Sequence, residues 1–146
     1  MNHLLRKRLR QKRIEKCRVE LEMYPHRLLD IFGRMGEIER QTNFDIKVPC
    51  EPYLALLDER ERLALDSEIV RAEIEVLSIE EHDLHSARQE IQSRKDAAVA
   101  WFDRVKEAPT LDASTVAQLS RFPSELRRAD AKLKIIDQML RSIPRA

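Results

Sequence analysis

The apolar residues of this chain recur at three- and four-residue steps rather than in alternation, so the pattern predicts helices and no strands. In the first segment the row runs Ile14, Cys17, Leu21, Tyr24, Leu28, Ile31, Met35, Ile38, the a/d seam of a coiled coil. The last segment repeats it through Leu119, Phe122, Leu126, Ala129, Leu133, Ile136, Leu140 and Ile143. Between them an apolar residue stands at every seventh position: Leu56, Leu63, Val70, Leu77, Leu84, Ile91, Ala98, Val105. That row predicts one continuous helix over 53–107, roughly 80 Å long at a rise of ~1.5 Å per residue.

Prolines punctuate the pattern. NFDIKVPCEP at 43–52 and APTLD at 108–112 read as loops, and Asp112 reads as the N-cap of the helix that follows. Pro25 and Pro123 fall inside helical rows. They predict a kink or break after Tyr24 and a short separate helix over 113–121. The predicted fold is all-α: an elongated antiparallel helical hairpin or coiled-coil bundle with a C-terminal helical element. Residues 1–146 form one all-helical unit, made of a basic N-terminal helix (1–42), a long central helix (53–107) and C-terminal helices (113–143). Short loops make neighbours antiparallel. Arg13 and Lys16 then face residues 78–81, Leu133 faces the 86 region and Leu140 faces Ile79.

The central helix has a second apolar stripe, Leu65, Ile69, Ala72, Val76 and Ile79, directed away from the Leu56 row. The expected register gives most of it no intrachain neighbour. An apolar stripe left in water usually marks an interaction site, so these five residues are expected to bind a partner or a second copy.

Composition narrows the function. Only 2 glycines occur in 146 residues, too few for a dinucleotide fingerprint, a phosphate-binding loop with its following Lys, or the turns of an all-β fold. Two cysteines, Cys17 and Cys50, do not staple a domain of this size. Reduced thiols and a cytoplasmic location are expected, with no transmembrane segment and no signal-peptide pattern. His82 and His85 stand at i, i+3 in EEHDLH, but no HExxH accompanies them. They read as solvent-side residues. Cys17 reads as a small buried hydrophobe, and the carboxylates at heptad spacing read as a solvated or paired face. No catalytic, cofactor-binding or metal site is expected, and the chain reads as non-enzymatic.

The formal net charge of +1 hides a steep gradient. Residues 1–18 carry eight Lys/Arg against Glu15, a local +7, whereas residues 51–83 carry eleven acids against three arginines, a local −8. Three uses compete for the basic run: docking on an acidic protein, pairing with the acidic middle, or holding the phosphates of nucleic acid or lipid. The register sets Arg6, Lys7, Arg8 and Arg10 opposite a stretch poor in acids, so these four are expected to meet a partner. Aromatic residues are absent before Tyr24, so base stacking is not signalled. Protein docking leads, with nucleic-acid binding through the basic arm as the alternative.

The basic helix opening LLRKRLRQKRIEKC is followed by a Pro-rich turn. A long heptad helix then starts at Tyr53-Leu-Ala-Leu-Leu and carries Trp101 near its end. This arrangement, over residues 1–107, resembles the central-stalk proteins of type III secretion and flagellar export. The C-terminal third departs from that family, because Pro109 and Pro123 interrupt what would be one second helix. The resemblance implies an antiparallel helical hairpin without enzymatic activity. It implies a role in protein transport, with an export ATPase ring or export gate as protein partners.

Overall fold

The computed structural model describes residues 2–43, 45 and 50–145. Among them are four α-helices and no strand: α1 (His3–Gln41), α2 (Glu51–Leu77), α3 (Leu84–Val105) and α4 (Ala113–Ser142), with a short 3-10 helix at Glu81–Asp83. The fold is all-α, as the periodicity requires. Residues 44 and 46–49 of the first expected loop lie outside the described residues. Where one all-helical unit is expected, the chain divides into two compact units, Met1–Ile74 and Glu75–Ala146.

In the first unit, α1 starts at Asn2, whose side-chain oxygen accepts the Leu5 N–H at 2.8 Å. That satisfies one of the amides a helix start leaves without a partner. The helix runs through Pro25 without a break. Pro25 is exposed. At the far end Asn43 takes a left-handed conformation, φ 53°, which Asn tolerates better than most residues. Ile31 and Met35 of α1 pack on Leu56 of α2, flanked by Ile38, Tyr53, Leu57 and Leu63.

Near the loop the polar contacts follow the expected register. Tyr53 Oη donates to Glu39 at 2.6 Å, and Arg34 reaches Glu59 at 3.4 Å. Farther along, Arg13 pairs with Glu73 through two bonds of 2.6 and 3.1 Å, not with residues 80–81. The expected pairing assumed a helix through 80–81, but α2 ends at Leu77.

The interruption after Leu77 is the main correction to the long central helix. Ile79 N–H bonds back to Val76 O at 3.0 Å, Glu80 is extended, and a new helical start follows. The seventh-position row passes from Leu77 to Leu84 without a miss, so periodicity alone does not reveal the break. Charge does. The last turn of α2 carries no basic residue, and Glu80, Glu81 and Asp83 follow at once. Acids are unfavourable at the negative end of a helix dipole and favourable at the start of a new one.

The second unit is built around that break. Val76 and Leu84, on either side of it, share a core with Ile136 and Met139, with Ile79, Ala87, Ile91 and Leu140 packed around them. Asp112 caps α4 as expected, accepting the Thr115 N–H at 2.7 Å. The separate helix expected over 113–121 is the first part of α4, because exposed Pro123 does not end the helix. The α3–α4 register is displaced from the expected one by about a turn and a half. Arg88 Nε donates to Asp137 at 2.7 Å, Lys95 meets Asp130 at 2.6 Å, and Phe102 stacks on Phe122 at 4.5 Å between centroids. The connection is asymmetric: with Phe122 opposite Phe102, the first turns of α4 lie beyond the last turn of α3. No residue from 85 to 132 is fully buried.

Ile136 is completely buried. Changing Ile136 to Ala is expected to lower stability by about 3 kcal/mol, as large-to-small core changes do. The same change at half-buried Leu126 should cost clearly less. Urea unfolding followed by circular dichroism checks both.

Candidate interaction surfaces

The basic run lies along the first five turns of α1, and helix geometry sorts it by face. Arg6 stands eight and eleven residues before Ile14 and Cys17, on the same side of the helix, and is itself only 8% exposed. Lys7 and Arg8 are exposed and Arg10 is half-buried. The four arm residues expected to bind a partner therefore do not share one open face, and Arg6 is turned inward. With Lys7 and Arg8, Lys12, Lys16 and Arg18 are exposed cations of this stretch. Arg13 is engaged by Glu73. That bond raises the Arg13 pKa and holds the Glu73 carboxyl below its ordinary 4.5. Beside the pair, Cys17 has no exposed surface, and burial pushes its thiol pKa up, reinforced by the Glu73 charge. An inert thiol of this kind is packing, not a nucleophile.

The second stripe of the old central helix is divided by the structure. Ala72 and Val76 have no exposed surface, and Ile79 packs on the core of the second unit. These three are interior residues rather than a free binding face. Leu65 is half-buried and Ile69 is 50% exposed, so the open part of the stripe is its N-terminal part. Following the same face back along α2 reaches Leu54, 59% exposed, with exposed Asp58 and Glu61 between. Sequence reading missed this extension because acids interrupt the apolar row.

His82 and His85 are exposed on an open groove of about 990 Å³ between the start of α3 and the end of α4. His82 lies 3.3 Å from Asp83. The one carboxylate of α4 in the groove, Asp137, is taken by Arg88, which keeps its pKa below the ordinary 3.8. Among the described residues no group of three or more His, Cys, Asp or Glu is placed to hold a metal ion. No helix among them is long and apolar enough to cross a membrane. Comparison with protein-family models, with curated proteins and with solved structures gives no match.

Two expectations follow from these contacts. Glu73 and Asp137 both have lowered carboxyl pKa values in the folded chain, so their contribution to stability is present above the ordinary carboxyl values and is lost as pH falls through the folded ones. Urea midpoints should therefore drop below about pH 4.5. Glu73→Gln should lower stability at neutral pH by about 1 kcal/mol or less and flatten the acid decline. In thiol labelling followed by mass spectrometry, half-buried Cys50 should react in the native chain. Cys17 should react only at the rate of unfolding.

Proposed function

We propose that this chain is a non-enzymatic helical adaptor, a structural component of a larger cytosolic assembly. In its sharpest form it is the stalk component of a type III protein-export apparatus, working beside an export ATPase ring or export gate. The observation that carries the reading is the concentration of cations at the start of α1, a local +7 over residues 1–18, much of it on exposed positions. A helix of this charge attracts an acidic protein surface and speeds the encounter with it. The helical-hairpin packing of α1 on α2 is consistent with the stalk resemblance. It presents long narrow faces and offers little concavity for a substrate. The second reading, nucleic-acid binding, rests on the same cations.

A pull-down from the native source with the intact chain tests the proposal. Binding of a discrete protein assembly, weakened several-fold when Lys7 and Arg8 are changed to Gln, is the expected result. Thermal melting should hardly move, because exposed charges contribute roughly 0–1 kcal/mol. Recovery of nucleic acid instead, with affinity falling steeply as salt rises, would replace the adaptor reading by the second one.

A further inference from the structure

The outer side of α1 carries a row separate from its packed seam. Leu5, Leu9, Lys12, Lys16, Val19 and Met23 follow steps of four, three, four, three and four residues, so they form one stripe along the helix. It lies about a third of a turn from the row that buries Ile14, Cys17, Ile31 and Met35. All six residues are exposed, Val19 by 60%. Leucines, a valine and a methionine in that spacing are costly to leave in water. The two lysines sit in the middle of the stripe rather than along its edges.

The outer side of α2 carries its counterpart. Leu54, Asp58, Glu61 and Leu65 repeat the four-three-four spacing, and Ile69 continues it. This stripe lies about half a turn from the Leu56–Leu63–Val70 row that faces α1. Apolar residues again bracket two adjacent charges, now acidic. One unit thus displays two open stripes of matched spacing and opposite charge. They lie towards opposite ends of an antiparallel hairpin, the basic one far from the loop and the acidic one next to it.

We propose that these stripes are the two halves of a self-association surface, and that the basic stripe of α1 docks on the acidic stripe of α2 in a second copy of the chain. The two stripes of one hairpin point away from each other, so the contact is head-to-tail: each copy docks its basic stripe on the acidic stripe of the next. A membrane surface fits less well, because mid-stripe lysines would have to bend out of the apolar layer. Nucleic acid offers nothing for the four apolar residues of α1. This inference does not depend on the adaptor reading, since it concerns the purified chain alone and uses none of the residues altered in the pull-down.

Sedimentation of the full-length chain over a concentration series is the test. The wild type should show concentration-dependent association, with dimers growing to larger species, that weakens as salt rises. Lys12→Glu with Lys16→Glu should weaken it by about 100-fold, and so should Asp58→Lys with Glu61→Lys, since each pair places like charges together. Mixing the two double variants should restore association, because each reversed stripe then meets its opposite. Unchanged circular dichroism shows that the exposed substitutions left the fold intact. A wild type that stays monomeric throughout the series overturns the proposal. So does association insensitive to salt, or a mixture no tighter than either variant alone. Binding of the monomeric wild type to anionic vesicles, lost in the lysine variant, would assign the basic stripe to a membrane instead.

Discussion

The second unit depends on the meeting of Val76 and Leu84 with Ile136 and Met139. Val76 lies in the last turn of α2 and Leu84 begins α3, and both belong to the same small core. That arrangement is available only if the backbone turns between them. A straight helix would place residues 76 and 84 on the same side but about 12 Å apart along its axis. The break over residues 78–83 lets one α4 seam cover both. Leaving helical hydrogen bonds unmade there is offset by burying Ile79 against the same core and by starting a new helix on acidic residues.

Elsewhere the helices are joined by narrow seams. Between adjacent seams run single cross-helix ion pairs: Arg13 with Glu73, Arg34 with Glu59, Arg88 with Asp137, Lys95 with Asp130. Each is partly exposed and contributes little stability alone. Their physical role is to choose among registers. Sliding one heptad along a seam exchanges one aliphatic residue for another at small cost, while it sets these charges against the wrong neighbours.

That division explains what was legible in the sequence. The helical class follows from the three- and four-residue spacing, and Asp112 announces its own cap because a side-chain acceptor there has one obvious donor. The break after Leu77 was concealed because Leu77 and Leu84 keep the seven-residue count across it. Only the cluster Glu80, Glu81, Asp83 betrays a new start. Pro25 and Pro123 misled in the other direction: both stand on exposed positions, and the packed residues on either side carry the helix through. Arg6 was read by its charge, yet its position on the Ile14–Cys17 side decides its burial. The open stripes needed the structure, since charges interrupt them and only burial separates Ile69 from Ala72, three residues away.

The α3–α4 pair has no fully buried residue from 85 to 132, and its far end is held by the Phe102–Phe122 stack and half-buried side chains. Stability within a fold is graded by how much apolar surface each segment removes from water. Opening therefore begins at the Val105–Ala113 connection and travels inward, stopping where Leu133, Ile136 and Leu84 are reached. The tip of this hairpin is the segment whose ordering a binding partner would change most, because it starts with the least to lose.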